Sequence, residues 1–191
     1  GTYSDIQDII LIQDESLAEI YTAEIDEMWG STGNTPDPDV SRFSALKQDD
    51  TPKRVSIAGH AGQIYFGPSD NTMPVLSARI GEAEYSSHFC IYSFTRADVS
   101  NALYERFLNV PDFEVRGVFD SAQGSSVDSE YANMKGTGTY PWSPPADVWL
   151  DAESGTLHHK YMILDVNKHA GRPTLIRADL ELNAPQRLDA Y

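Results

Sequence analysis

The sequence predicts an α/β protein, built as an α/β/α sandwich around a mixed, mostly parallel central sheet. Two observations carry this prediction. From Val55 onward, short apolar segments typical of strands alternate with amphipathic segments of helical period. One of these strand segments, "HFCIYSF" from His88, is a continuous apolar run of the kind that is buried on both faces of a sheet. The length of 191 residues fits one ordinary domain, or one domain with an additional arm.

The N-terminal part predicts a strand followed by a helix. "DIILIQD" (Asp8–Asp14) is a short apolar run between acidic residues and indicates a strand. The next segment, "ESLAEIYTAEIDEMWG", has apolar residues at helical spacing and ends at Gly30. Ser16 is the expected N-cap, because Glu19 three residues later completes a capping box. Residues 31–54 are rich in Pro, Gly, Asp and Ser and are interpreted as a linker.

The remainder of the chain predicts strands and helices in alternation. "VSIAGHAGQIYFGPSD" indicates a hairpin with its turn near Gly59 to Gly62, and the helix that follows has Thr72 as its candidate cap. The further elements, in order, are the helix "TMPVLSARIGEAE", the strand "HFCIYSF", the helix "TRADVSNALYERFLNV", the strand "FEVRGVFD", the short helix "SSVDSEYANMKG" and the strands "ADVWLD", "LHHKYMILDV" and "PTLIRADLEL".

Composition restricts the classes of function. Twenty-nine acidic residues against 14 basic ones give a formal net charge of −15. A surface of this charge repels anionic membranes and provides no general footprint for duplex nucleic acid, so a phosphate ligand would need a local positive pocket. No apolar run has the roughly 18 residues of a membrane span, and the N-terminus lacks signal-peptide character. The single cysteine, Cys90, is expected to be a buried small hydrophobe.

The stretch "SGTLHHKYMILDV" contains the candidate chemistry. His158, Lys160 and Asp165 in it spell H-x-K-x-x-x-x-D. With 5 His, 5 Lys and 18 Asp in the chain, composition alone would produce roughly 0.01 such motifs. The pattern is therefore treated as a candidate site.

Strand geometry gives the motif a working interpretation. Residues two apart on a strand share a face, so His158 and Lys160 lie together while His159 points to the other side. A neutral imidazole beside an ammonium suits attack on a phosphate, with the histidine as nucleophile and the lysine on a non-bridging oxygen. Asp165 has the opposite parity and is expected past the strand end, where it would orient an imidazole or balance charge. The alternative is a strand that merely carries exposed histidine and lysine.

Other chemistries have weaker support. His158 and His159 point to opposite faces and cannot chelate one ion together, so no metal site is predicted. The chain has no G-x-S-x-G elbow and no glycine-rich phosphate loop. Ser69 and Thr72 in "GPSDNT" are weak phosphate-binding candidates, because a helix begins there and its free amides can hold an anion.

The motif and its surroundings resemble the phospholipase D superfamily, the enzymes of the H-x-K-x-x-x-x-D signature. Beyond "LHHKYMILDV", the similarity includes "IYFGPSDN", "CIYSFTRADVSNAL", "VRGVFD" and "ADVWLD", in the order expected of a bacterial phospholipase D-like repeat. It covers roughly residues 55–176. The resemblance implies a phospholipase D-like fold for a domain over residues 55–191, with 31–54 as linker. Residues 1–30 resemble the strand and helix that close a preceding repeat.

The resemblance also implies an activity. Such a domain would cleave phosphodiesters of nucleic acid or phospholipid without a metal or other cofactor. His158 would form a phosphohistidine or act as the general acid, Lys160 would bind phosphate, and Asp165 would support the site. Active members join two such motifs, so the partner would be a second half from a missing repeat or from a homodimer. Similar bacterial members are exported, which implies an extracellular location.

One stretch departs from the family pattern. Where members usually have Gly-Ser and Asn after the motif, this chain has "PTLIRADLELN", with Ala178, Asp179 and Glu181 in their place. Carboxylates beside a phosphate would repel it, so these side chains are expected to point away from the site. The alternative hypothesis is a catalytically impaired phospholipase D-like module that acts in binding or as a scaffold.

Overall fold

The computed structural model describes residues 5–166 and 173–177. The chain divides into two compact units, one of residues 1–9 and 76–191 and the other of residues 10–75. The domain boundaries predicted from the sequence are not tested by this division and stay a prediction. Within the described residues, no helix combines the length and the apolar character needed to cross a lipid bilayer.

The unit of residues 10–75 contains a helix and a hairpin. Helix α1 (Glu15–Trp29) is followed by a 3-10 turn (Ser44–Leu46), and β1 (Arg54–Ile57) pairs antiparallel with β2 (His60–Gln63). The predicted hairpin is confirmed. His60 is exposed and begins β2, so the turn of the hairpin lies before it.

Two predictions about the N-terminal part are wrong. None of the strands in the described chain includes any of residues 8–14; Ile9 and Leu11 are 81% and 89% exposed. A short apolar run becomes a strand only if its backbone groups find a partner strand. In the described part of the chain the isolated bridge near this run joins Ile6, which precedes it, to Leu157. The N-cap of α1 is Asp14 and not Ser16, because the Asp14 carboxylate accepts a hydrogen bond from the Leu17 amide at 2.9 Å.

The C-terminal end of α1 and the loop after it are held by specific contacts. Gly30 ends the helix with a φ of 73°, a left-handed conformation that glycine adopts without strain. In the loop, the buried ammonium group of Lys47 forms ion pairs with Glu24 and with Glu27. The predicted linker is therefore anchored to α1 at this point.

The unit that contains residues 76–191 is an α/β layer structure. Helix α2 (Thr72–Glu82) leads into it, so the predicted cap Thr72 is the first residue of the helix itself. The elements that follow are, in chain order, β3 (Ser86–Ile91), α3 (Ala97–Asn109), β4 (Glu114–Phe119), the short helices α4 (Ser121–Gly124) and α5 (Tyr131–Met134), β5 (Asp147–Leu150), β6 (Lys160–Leu164) and β7 (Thr174–Arg177).

The five strands form one sheet in the order β5-β4-β3-β6-β7. β3 pairs parallel with β4, and β4 with β5, whereas β6 runs antiparallel to both β3 and β7. The prediction of an α/β protein with a mixed central sheet is confirmed, and parallel pairs make up two of the four pairings.

Aromatic packing defines the core on one face of this sheet. Phe119 has no exposed surface, and its ring lies 5.3 Å from that of Phe89 and 5.4 Å from that of Tyr131. Gly117 shares this face, and a Cβ atom there would lie 2.2 Å from Cζ of Phe89. The close approach of ring to backbone requires glycine at this position.

Candidate active site

Four strands bring their polar flanking residues to one edge of the sheet. Because β3, β4 and β5 are parallel, Tyr92, Asp120 and Asp151, the residues that follow them, lie at the same carboxyl edge. β6 is antiparallel to β3, with Lys160 opposite Ile91, so β6 begins at this edge. The carboxyl ends of parallel strands are where open α/β sheets place their ligands.

His158 and Lys160 meet at this edge. His158 lies two residues before Lys160, the first residue of β6, and Nζ of Lys160 is 3.0 Å from Nε2 of His158. An ammonium group can only donate, so Nε2 accepts and the ring hydrogen is on Nδ1. The contact directs the lone pair of Nε2 at the ammonium group, so an anionic oxygen that took over this hydrogen bond from Lys160 would leave the lone pair free.

The ring of Tyr92 packs against both His158 and Lys160. The sequence did not predict this residue as part of the site. Its ring centroid is 4.9 Å from that of His158, edge to face, and 5.3 Å from Nζ of Lys160. The Nε2 group of Gln123 donates to its hydroxyl at 3.3 Å. The signal for Tyr92 was available in "CIYSF", as the first residue after an apolar strand whose carboxyl end faces the site.

Asp120 was also missed, and it orders the chain before His158. This buried carboxylate accepts from the amides of Ala122 and Gln123 through Oδ1 and from the amide of Leu157 through Oδ2, at 2.9–3.1 Å. It caps α4 while fixing the residue next to His158. Because both oxygens accept backbone hydrogen bonds, its negative charge is compensated locally.

His159 points away from His158, as strand alternation predicts. Its Nδ1 lies 2.8 Å from Oδ1 of Asp8, and its carbonyl accepts from the amide of Tyr92 at 2.8 Å. The hydrogen bond from His159, acting against partial burial and together with the charge of Arg177, holds the pKa of Asp8 below its usual value.

Asp165 lies past the end of β6, as expected, but at the opposite end of the strand from His158. Its buried carboxylate accepts from the amides of Glu84, Tyr85 and Ser86 at 2.7–3.3 Å. The expectation that Asp165 orients an imidazole therefore needs correction: seven residues of extended chain, about 20 Å, separate the two residues. Asp165 fixes the turn that leads into β3, and so supports the site through the sheet.

The weaker candidates belong to a different unit from His158 and Lys160. Ser69 and Thr72 belong to the unit of residues 10–75, and the Ser69 hydroxyl donates to the Phe66 carbonyl at 3.1 Å. Their assignment to a phosphate site stays a prediction. Ala178, Asp179 and Glu181 lie outside the described residues, and the departure from the family pattern in that stretch is therefore untested.

A metal site was not predicted from the sequence. In the described ranges, no cluster of three or more His, Cys, Asp or Glu side chains is arranged to hold a metal ion. The ammonium group of Lys160 repels cations and attracts phosphate oxygens, so the pair it forms with His158 suits an anionic ligand.

Comparison with known proteins gives a limited result. No family model matches the chain, and no curated protein does. Among solved structures, the chain is similar to NucT from Helicobacter pylori, with 22% sequence identity and a TM-score of 0.40. The similarity covers 50% of this chain and 60% of that chain. A likeness at this level carries no functional argument, and the case for function rests on the residues of the site.

Proposed function

We propose that this chain is a metal-independent phosphodiester hydrolase half-domain of the phospholipase D type. The observation that carries the proposal is the 3.0 Å approach of the Lys160 ammonium to Nε2 of His158 at the carboxyl edge of the sheet. The resemblance of "LHHKYMILDV" and its surroundings to that superfamily adds support from the sequence.

The first chemical step uses His158 as nucleophile. A non-bridging phosphate oxygen replaces Nε2 as the acceptor of the Lys160 hydrogen bond, which brings phosphorus beside the freed lone pair. Nε2 attacks, the N–P bond forms, and the bond from phosphorus to the leaving oxygen breaks with its electron pair passing to that oxygen. The leaving oxygen takes a proton from a general acid, for which the second half of the site would supply the matching histidine.

The second step returns the enzyme to its starting state. Water attacks phosphorus, the P–N bond breaks, and its electrons return to Nε2 of His158. The histidine that gave its proton in the first step accepts one from the water. The products are one alcohol and one phosphate monoester for each water consumed, and Lys160 balances the phosphate charge throughout.

The surroundings of the pair suit this chemistry. Tyr92 lies against both reacting groups and limits the approach of water from its side. The nearby carboxylate of Asp120 is occupied by three backbone amides, so it competes little with phosphate for Lys160. The net charge of −15 favours a substrate bound at a local site over one held along a basic surface. Both nucleic acid and phospholipid provide such a diester.

The test is hydrolysis of bis(p-nitrophenyl) phosphate in the presence of EDTA. Turnover is expected from the 191-residue chain and is expected to vanish in His158→Asn. His60→Asn is the matched control, because it makes the same chemical change at an exposed histidine on β2.

Phosphate trapped on the protein identifies the nucleophile. An acid-labile, base-stable phosphoryl group on His158 after quenching supports the proposed first step. Equal turnover in His158→Asn and in the unmodified chain contradicts the hydrolase. Absence of turnover together with retained binding of a diester would favour the binding-module alternative.

A further inference from the structure

The segment Asp5–Ile9 lies along the stretch that carries His158 and is joined to it by backbone hydrogen bonds. The amide of Ile6 donates to the carbonyl of Thr156 at 2.8 Å, and the amide of His158 donates to the carbonyl of Ile6 at 3.0 Å. Ile6 and Leu157 thereby form a parallel bridge. The main chain of His158 is thus held from outside the sheet, since β6 begins only at Lys160.

Two side chains, His159 just before β6 and Arg177 at the end of β7, fix this segment in place. His159 contacts Oδ1 of Asp8 at 2.8 Å, and Nη1 of Arg177 contacts Oδ2 of the same carboxylate at 2.8 Å. Nη2 of Arg177 also donates to the carbonyl of Asp8 at 2.6 Å. Asp8 is therefore bound by residues of β7 and of the motif stretch, two residues along the chain from the Ile6 bridge.

The two neighbouring histidines make their contacts on opposite sides of the chain. His158 faces Lys160 and Tyr92, while His159 faces Asp8. Rotation of the chain about its own axis at 158–159 would have to break the Asp8 contact on one side in order to move the imidazole on the other. A displacement of about 1 Å at a reacting group can cost on the order of a hundredfold in rate.

We propose that Asp8, through His159 and the Ile6 bridge, is the positioning residue that fixes the main chain of His158. This inference rests on the proposed function where it concerns catalysis, and on geometry alone where it concerns the position of His158. The role of His159 accordingly differs from that of His158. His159 binds Asp8, and this contact holds the segment whose Ile6 is hydrogen-bonded to the main chain of His158.

The first measurement needs no turnover. Native-state hydrogen exchange of the His158 amide, followed by NMR in the full chain, reports the bond to Ile6 directly. In Asp8→Ala, exchange at His158 is expected to quicken about tenfold or more, while exchange at Met162 in the centre of β6 stays unchanged. Asp5→Ala removes a carboxylate from the same segment outside the contacts to His159 and Arg177, and is expected to change neither amide.

The second measurement separates positioning from substrate binding. In Asp8→Ala, kcat on bis(p-nitrophenyl) phosphate is expected to fall by about tenfold to a hundredfold with KM changed less than about threefold. His159→Ala should have a smaller effect in the same direction, because Arg177 still holds the Asp8 carboxylate. The double variant should be no worse than Asp8→Ala, because Asp8→Ala already removes the contact with His159.

The outcomes decide the two proposals separately. Unchanged exchange at His158 in Asp8→Ala overturns the positioning role, as does a rise in KM with unchanged kcat. Faster exchange at His158 in a chain that has no turnover on any diester leaves Asp8 as the residue that holds His158, and refutes the hydrolase alone.

Discussion

The carboxylate of Asp165 and the imidazole of His158 occupy opposite ends of β6, although they belong to one sequence motif. Asp165 binds the amides of Glu84, Tyr85 and Ser86, where β3 begins, and His158 lies beside Tyr92, where β3 has ended. The motif therefore extends along the full length of β6, from one edge of the sheet to the other. Its first two members form the candidate site, and its last member anchors the strand that carries them.

Replacement of Asp165 should affect folding more than chemistry. Asp165→Ala removes three hydrogen bonds and places alanine at a φ of 56°, and is expected to cost about 3 kcal/mol of unfolding free energy or more. Asp165→Asn tolerates that backbone conformation, keeps one acceptor oxygen and should cost about half as much. Urea denaturation measures both values. A large loss of kcat in fully folded Asp165→Asn would show a direct catalytic role instead.

Tyr92 should act mainly through its ring. Tyr92→Phe keeps the edge contact to His158 and the ring beside Lys160 and loses only the bond from Gln123. Its kcat/KM is expected to stay within about threefold, whereas Tyr92→Ala should lose about tenfold or more, because water reaches the imidazole and the lysine. Steady-state kinetics on bis(p-nitrophenyl) phosphate distinguishes the two. Equal losses in both variants would assign the role to the hydroxyl.

Two glycine-to-alanine changes should alter the free energy of unfolding in opposite directions. In Gly117→Ala the new Cβ would lie 2.2 Å from the Phe89 ring, and the forced displacement should cost about 1–3 kcal/mol. Gly81 lies in α2, and an alanine methyl group there would have open space around it to 4 Å. Gly81→Ala should therefore stabilise the protein by about 0.5–1 kcal/mol through helix propensity. Thermal melts of the two variants compare them directly. Stabilisation by Gly117→Ala would contradict the described packing of Phe89.

Cys90 should react slowly at ordinary pH. Partial burial raises the pKa of its thiol from 9.0 to about 11; the charges of Asp151 and Asp8 act in the same direction, and a hydrogen bond with Tyr161 acts against them. Two pKa units reduce the thiolate fraction at pH 8 about a hundredfold, so alkylation by iodoacetamide should be slower by about that factor than for the unfolded chain. The raised pKa also means that the fold loses stability as the pH rises from about 9 towards about 11, since the unfolded chain releases this proton first. Equal alkylation rates for folded and unfolded protein at pH 8 would contradict the burial.

Activity should depend on a second copy of the site if a homodimer provides it. In the proposed mechanism a single His158–Lys160 pair would supply the nucleophile and one phosphate contact, and the leaving group would take its proton from a general acid in another half. The specific activity of the isolated chain is therefore expected to rise with protein concentration, in step with the dimer fraction from light scattering. Mixing His158→Asn with unmodified chain should inhibit at fixed total concentration. Full specific activity in a strictly monomeric sample would show that one half is sufficient.

Local patterns predicted the parts of the molecule that depend on near neighbours in sequence. The apolar runs around Phe89 and Met162 gave the central strands, and the two-residue spacing of His158 and Lys160 brought their side chains together as expected. Gly30 ended α1 for the reason that glycine tolerates a positive φ.

The parts that were missed depend on partners distant in sequence. Asp120 binds the amide of Leu157, 37 residues away, and Asp8 binds His159, 151 residues away. No sequence periodicity predicts either contact. The strand predicted at Asp8–Asp14 failed for the same reason, because hydrophobicity can be read from one segment but strand pairing requires two. Asp165 was placed correctly past the strand end, and only its partners at Glu84–Ser86 reveal its role.

The antiparallel direction of β6 has an evolutionary consequence. Because β6 runs antiparallel to β3, the stretch that leads into β6 lies at the carboxyl edge of the sheet. His158 and Lys160 both belong to this one stretch, so their spacing follows from two residues of chain and does not depend on the meeting of two loops. The connections after β3 and β4 contribute Tyr92 and Asp120 next to the pair, and their sequence beyond these two residues can change without altering the spacing of His158 and Lys160. If the proposed hydrolase is correct, a lineage built on this layout can exchange one diester for another by changing these connections while His158 and Lys160 stay together.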